Sequence, residues 1–206
     1  MYKKPVIVFE GIEGSGKSHH ISKVSSYLKK NNIPFIKIRE PGGSINSEKI
    51  RKFILNKNSN FNRNTDLLLY LASRSENIKL LMKYHKKKII LIDRFIDSTI
   101  AYQHYGLGVN LKLIKIINKY ILSDFKINFT FLNLVNHENM IKRLKLRSKL
   151  NRYDKFNKNF YKKVQRGFIK LSLNSKGKYK LIDSNLDIKF NEAIVINKIK
   201  KLIKWI

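Results

Sequence analysis

Gly11-Ile12-Glu13-Gly14-Ser15-Gly16-Lys17-Ser18 matches the pattern G-x-x-x-x-G-K-[ST]. Residues of these types at this spacing hold phosphate. The glycines let the backbone curl so that successive N–H groups point at phosphate oxygens, Lys17 reaches the outer phosphates, and the Ser18 hydroxyl is a hard oxygen ligand suited to Mg²⁺. Such a loop works only between a strand and a helix whose positive end faces the anion. Val6 to Glu10 is a β-branched and aromatic run that reads as the strand, and Ile21, Val24 and Leu28 recur at helical spacing after the loop. That context separates a phosphate-binding P-loop from an ordinary glycine turn.

Other residues with chemical potential stand at strand ends. Lys88 to Asp93 is an apolar run closing on a carboxylate, which places Asp93 where a Walker B acid helps to hold Mg²⁺. Arg94 follows at once, and Thr99, Tyr102 and Gln103 supply hydroxyl, phenol and amide groups able to read a base or a sugar. A merely capped helix there would need only Asp97 or Ser98. Arg39 closes the strand Phe35 to Ile38 and opens the loop Arg39-Glu40-Pro41-Gly42-Gly43-Ser44, so it lines the carboxyl edge of a parallel sheet. Thr65-Asp66 caps a long helix running to about His85, on which Tyr70 and Arg74 share a face. Taken alone, Tyr70 reads as packing and Arg74 as a solvated charge. A basic helical stretch from Met140 to Lys149 carries Arg143 and Arg147 and runs into Leu150-Asn151-Arg152-Tyr153-Asp154; by itself such a run is a solvated helix face.

The remaining elements fall between these. Helices are expected over Ser47–Leu55 and Leu111–Leu122, with two more marked by Phe156 to Leu171 and by Ile194 to Ile203. Further strands are expected over Ile127–Leu132 and Lys178–Ile182. Alternating strands and helices predict an α/β fold, a five-stranded parallel sheet flanked by helices, with the ligand site along the strands' carboxyl ends. The 206 residues suit one domain, without repeat or linker. Cysteine is absent, which excludes disulfides and thiolate metal sites and fits a reducing compartment. No apolar run is long enough to cross a bilayer and no signal peptide is evident, so a cytoplasmic protein is expected. The formal net charge is +30, but the lysines are spread along the whole chain. That distribution reads as compositional drift filling solvated positions, not as a dedicated nucleic-acid surface. It still draws anionic nucleotides inward and favours non-specific RNA binding at low salt.

Four separated motifs coincide in order: the P-loop, Arg39-Glu40-Pro41-Gly42-Gly43, Tyr70-Leu71-Ala72-Ser73-Arg74, and Asp93 through Gln103. Together they resemble the thymidylate kinase family over essentially the whole chain. The resemblance implies a P-loop nucleoside monophosphate kinase fold, transfer of the γ-phosphoryl of ATP to dTMP with Mg²⁺, and a homodimer. It assigns Glu13 to the deoxyribose 3′-OH, Arg39 and Arg94 to the dTMP phosphate, and Tyr70 to stacking on thymine. Arg74 would contact a thymine carbonyl, Thr99 and Gln103 the rest of the base edge, and Tyr102 would disfavour a ribose 2′-OH. Asp93 and Ser18 would place the metal.

Gly14 resembles the bacterial variety, which takes a catalytic cation from a mobile lid, here roughly 143–154. Arg152 matches the arginine of the family's D-R-x-E lid pattern, and Arg147 is a second candidate. Asn151 and Asp154 depart from that pattern and put the lid's ion pairing in question; His19-His20 replaces the usual threonines. The acceptor phosphate is largely dianionic at neutral pH, so cations rather than a general base are required. Two rivals share the P-loop: another nucleotide or deoxynucleoside kinase, and a nucleic-acid-binding NTPase supported only by the charge.

Overall fold

The structure, a computed structural model, describes residues 4–147, 151–175 and 177–204. Five strands form one wholly parallel sheet: β1 (Val6–Glu10), β2 (Phe35–Arg39), β3 (Ile89–Asp93), β4 (Phe129–Leu134) and β5 (Tyr179–Asp183), in the order β2-β3-β1-β4-β5. The five-stranded parallel α/β architecture expected from the alternation is therefore present. The fourth strand starts and ends two residues later than the apolar run suggested. Its register with β5, Thr130 to Leu134 opposite Tyr179 to Asp183, carries pairing through Asn133 and Leu134.

The central strands alternate between two cores because successive side chains point to opposite faces. Ile7, Phe9 and Leu91 pack beneath α1 (Lys17–Lys30) and the closing helix Ile188–Ile203, through Ile21, Val24, Leu28, Val195 and Ile199. Val6, Val8, Ile90 and Ile92 pack on the other face against Leu81 and Leu122. Those residues belong to the helices Arg63–Tyr84 and Leu111–Leu122, here α3 and α5, with α2 (Ile45–Leu55) preceding them. The cap of α3 lies three residues before the expected Thr65: the Asn62 side chain accepts the N–H groups of Asn64 and Thr65 at 3.0 and 2.9 Å. Asp66 is thereby freed from capping and is buried.

After β3 the chain makes a short helix, α4 (Ile96–Thr99), and a π-helical turn, Ile100–Gly106. Wider π turns are frequent at functional sites. This one buries both Tyr102 and Gln103. Beyond β4, α6 (His137–Lys145) ends sooner than the basic stretch suggested. A 3₁₀ turn, Arg152–Lys155, leads into α7 (Lys158–Leu173), and Ile188–Ile203 is α8. The expected lid, 143–154, includes 148–150, which lie outside the described residues. Among the described residues no helix is long and apolar enough to cross a membrane.

Candidate active site

The carboxyl ends of β1, β2 and β3 open onto a cavity of about 390 Å³, within the range of small-ligand pockets. Its wall includes Glu13, Lys17, Ser18, Arg39, Tyr70, Arg74, Asp93, Arg94, Thr99, Tyr102, Gln103 and Arg147. Twelve of the residues singled out from sequence therefore line one space.

The P-loop is shaped by close approach. Gly11 has φ +138°, and a Cβ there would lie 2.3 Å from the carbonyl oxygen of Asn133, so only glycine fits. Gly16, also at positive φ, opens α1, and Ser15 is held through its carbonyl by the Ser184 hydroxyl at 2.7 Å. Ile12 is buried in the core. Lys17 folds back on the loop and donates to the carbonyls of Gly11 and Ile12 at 2.9 and 2.8 Å. Burial, followed by the Arg94 charge, lowers its pKa to about 7. Arg143 on α6 donates to the carbonyl of Gly14 at 2.9 Å and to that of Ser184 at 2.6 Å. A guanidinium thus stands beside the loop position that bears no side chain.

Arg94 occupies a left-handed conformation, φ +64°, which costs an L-residue about 1 kcal/mol and turns its side chain back over the P-loop. It donates to the Gly11 carbonyl at 2.8 Å and to Glu13 at 2.9 Å. Tyr102 donates its phenol to the other Glu13 oxygen. Burial pushes the Glu13 carboxyl up, but Arg94, Lys17 and the Tyr102 hydrogen bond outweigh it and hold the group below its ordinary value. The turn after Arg94 is clamped from below. Glu10 accepts the N–H groups of Phe95 and Ser98 at 2.8 and 3.2 Å and the Ser98 hydroxyl at 2.5 Å. Burial and the nearby Asp97 raise Glu10 to about 7.

Arg39 is bound more loosely. Its guanidinium meets Glu48 at 3.0–3.3 Å with both side chains substantially exposed. Arg51 lines the same cavity and donates to the Pro41 carbonyl at 2.5 Å. Burial and the proximity of Arg39 lower its pKa. Nothing in the sequence marked Arg51, because a single arginine on a short basic helix carries no signal of direction.

Arg74 overturns its reading as a solvated charge: it is 1% exposed. It donates from Nε to Glu40 at 2.8 Å, from Nη2 to Thr99 at 3.0 Å and from Nη1 to Asn118 at 2.5 Å, and its Nη2 also lies 2.8 Å from Glu40. Phe95 lies beneath the guanidinium, 4.9 Å from the ring centroid. Each of the three guanidinium nitrogens therefore has a hydrogen-bond partner. Gln103, fully buried, donates to Asp66 at 3.1 Å while its carbonyl oxygen has no partner among the described residues. The Tyr70 ring stands edge-on to Tyr153 at 6.1 Å.

The two arginines expected to serve a lid differ. Arg147 lines the cavity, largely exposed, and reaches Asp154 at 3.5 Å. Arg152 does not line it. Arg152 pairs with Asp66 and donates to the Ile54 carbonyl at 2.5 Å. Asn151 and Asp154, the two departures, cap each other: Asp154 accepts from the Asn151 backbone and amide, both at 2.8 Å, and Asn151 accepts from the Tyr153 N–H at 2.8 Å. One acid suffices where the partner is an amide.

Asp93 Oδ1 is a buried acceptor without a partner among the described residues, and Ser18 lines the same wall. No cluster of three or more metal-ligating side chains occurs among the described residues. One carboxylate, one hydroxyl and substrate phosphates form the kind of oxygen set that Mg²⁺ takes, so the residues fit that ion.

The family model described as thymidylate kinase matches residues 9–194. A curated thymidylate kinase from Sulfurihydrogenibium sp. is 38% identical over 198 residues, 95% of this chain and 96% of the relative. One from Mycoplasma capricolum subsp. capricolum is 36% identical over 204 residues, again 95% and 96%. The crystal structure of thymidylate kinase from Ehrlichia chaffeensis superposes with a TM-score of 0.76 at 31% identity, covering 95% of this chain and 98% of that one.

Proposed function

We infer how the site divides its work from one premise: the chain belongs to the thymidylate kinase family and phosphorylates dTMP to dTDP with ATP. The observation that carries the assignment of residues is the single cavity in which the P-loop's Lys17 and Ser18 face two acceptor-side arginines and a buried polar wall.

The P-loop amides and Lys17 hold the ATP phosphates, and Gly11, Gly14 and Gly16 permit the curl that aims those amides. Ser18 and Asp93 would hold Mg²⁺, which when bound would supply positive charge to offset that of the phosphates. Arg39 and Arg94 grip the dTMP phosphate. Glu13, aligned by Arg94 and Tyr102, accepts the deoxyribose 3′-OH, and Tyr102 stands where a 2′-OH would project. Tyr70 stacks on the base. Arg74 offers donors and the unpartnered Gln103 oxygen an acceptor, with Thr99 bonded to the same guanidinium. Thymine offers the complement, the O4 carbonyl beside the N3 hydrogen.

Phosphoryl transfer asks mainly for positioning and for cations around a spreading negative charge. Arg94 spans both sites, touching the P-loop at Gly11 and the acceptor side at Glu13. Arg147, facing the cavity, is the lid cation that reaches the transferring group, and Arg152 anchors the lid. Closure of a lid within 143–154 then keeps water from the donor.

The wider reading includes a cytoplasmic location and a homodimer, for which exposed Leu68, Ile116 and Tyr120 on α3 and α5 supply an apolar face. The +30 charge supports salt-sensitive, non-specific binding of RNA. The decisive experiment couples ADP release to dTMP, dUMP, thymidine and a no-acceptor control, with Arg94→Ala alongside. The expected result is turnover with dTMP, little without an acceptor, and a fall of about 10³-fold or more in Arg94→Ala with ATP binding retained. Retained dTMP turnover in that variant would remove Arg94 from the site.

A further inference from the structure

Asp66 belongs to none of the groups assigned above, yet it is 2% exposed and fully engaged. One oxygen pairs with Arg152; the other accepts from the Gln103 amide at 3.1 Å and from the Tyr153 hydroxyl at 2.5 Å. A carboxylate paired with a guanidinium accepts on both oxygens, so the side of the Gln103 amide that faces it must be the NH₂. The orientation of that amide is therefore set by chemistry: Gln103 is among the residues lining the cavity, and its carbonyl oxygen is left buried without a partner among the described residues. A buried acceptor of this kind demands a donor from its ligand. The N3 position of thymine or uracil is a donor; that of cytosine is an acceptor.

The partners that complete the lock come from the lid. Arg152 and Tyr153 lie 86 and 87 residues from Asp66 in the chain. The Tyr153 ring also stands edge-on to Tyr70 and Tyr102 at 6.1 and 5.8 Å, so this segment walls the acceptor pocket. Resting on the reading of Gln103 as a contact to the base edge, we propose that Asp66 is a specificity-determining positioning residue: it fixes the Gln103 carbonyl toward the base, and Arg152 and Tyr153 hold Asp66 in place, so that lid docking and selection of an N3–H pyrimidine are one linked event. Arg152 then acts through Asp66, outside the transferring phosphoryl group.

The test uses the full chain and measures kcat and KM for dTMP and dCMP in Asp66→Asn, Arg152→Gln, their double variant and Gln103→Leu. An asparagine can present oxygen or nitrogen, so Asp66→Asn releases the Gln103 amide to turn. The expected result is a dTMP KM raised about tenfold with kcat within a few-fold, and a preference for dTMP over dCMP reduced about tenfold or more. Arg152→Gln leaves Asp66 in place, and serves even if Asp66→Asn folds poorly: it too should raise the dTMP KM and spare kcat. The double variant should be no worse than Asp66→Asn. If Gln103→Leu erases the base preference while both other single variants keep it, the coupling is overturned and the base-edge reading stands. If Gln103→Leu leaves the preference intact, that reading falls and the coupling with it. A kcat loss in Arg152→Gln at unchanged KM would overturn the anchor role.

Discussion

On the proposed assignment, the two ends of the acceptor pocket are built differently. At the base end the polar groups are buried and mutually engaged: Arg74 and Glu40 are 1% and 4% exposed, with Thr99 and Asn118 completing the guanidinium's partners. At the phosphate end Arg94 is tied to Glu13 and the Gly11 carbonyl, but the other cations rest on partners that a phosphate can replace. Lys17 lies on P-loop carbonyls, Arg39 on an exposed glutamate, and Arg147 reaches Asp154 only at 3.5 Å. Selectivity among bases needs fixed donors and acceptors, which a rigid buried network supplies. Transfer of a charged group needs cations that can exchange partners as charge moves. The difference between the two ends is thus one of how firmly each charge is committed before substrate arrives.

Breaking the committed end should produce the largest loss of stability. Removing one member of a buried pair strands the other charge, at a cost of about 3–5 kcal/mol. Glu40→Ala is expected to lower the melting temperature by roughly 10 °C, by the usual conversion for a domain of this size. Thermal unfolding at pH 7 checks it; a fall of under about 2 °C would mean that Arg74 finds another partner or water.

Activity separates the two lid arginines by a smaller margin. Arg147→Ala is expected to lower kcat by about 10²-fold, about 2.7 kcal/mol of transition-state stabilisation, with both KM values within a few-fold. Equal kcat in Arg147→Ala and wild type would send the catalytic cation elsewhere, Arg143 beside Gly14 being the neighbour at hand.

These assignments show how far the sequence reaches. The P-loop was legible because its chemistry is local: eight consecutive residues carry the phosphate cradle, and the strand and helix flank them. The parallel sheet was legible for the same reason, from short apolar runs and helical spacing. The state of Arg74 was not. Its partners Glu40, Thr99 and Asn118 lie 34, 25 and 44 residues away, so only the fold turns a surface-looking charge into a buried one. In the sequence Asp66 reads as a cap because a Thr-Asp pair opening an apolar helix is the usual signal. The structure gives capping to Asn62, leaving the acid for Gln103 and the lid. Arg152 matched a lid pattern, but its pairing with Asp66 spans 86 residues and left no trace in local spacing.

Proton linkage sharpens the uncommitted end. Lys17 has a pKa of about 7 in the free chain, from burial and then Arg94, with Asp93, Glu13 and Glu10 opposing. Bound phosphates favour the charged amine, so binding is linked to protonation wherever free Lys17 is neutral. Below pH 7 the amine is already charged and no penalty arises. Above pH 7 ATP affinity should fall, approaching about tenfold per unit, until the pKa of the bound form is reached. Calorimetry at pH 7, 8 and 9 in buffers of different ionisation enthalpy should show weakening affinity with proton uptake. A flat Kd without uptake would place Lys17 among ordinary charged lysines.

The smallest effect belongs to Arg39 and Glu48. Both oxygens of Glu48 face the guanidinium at 3.0–3.3 Å, and one also accepts the Gly43 N–H at 2.8 Å. Glu48→Gln keeps an acceptor for Gly43 while removing the charge that competes with dTMP for Arg39. The pair is exposed, and such pairs contribute about 0–1 kcal/mol, so the melting temperature should move by no more than a few degrees. With its competitor gone, Arg39 meets the phosphate at less cost, and the dTMP KM should fall by a few-fold, more at low salt than at high. A KM that rises instead would mean that Glu48 aims Arg39 at the phosphate, and that this cation, like those around Arg74, is committed in advance.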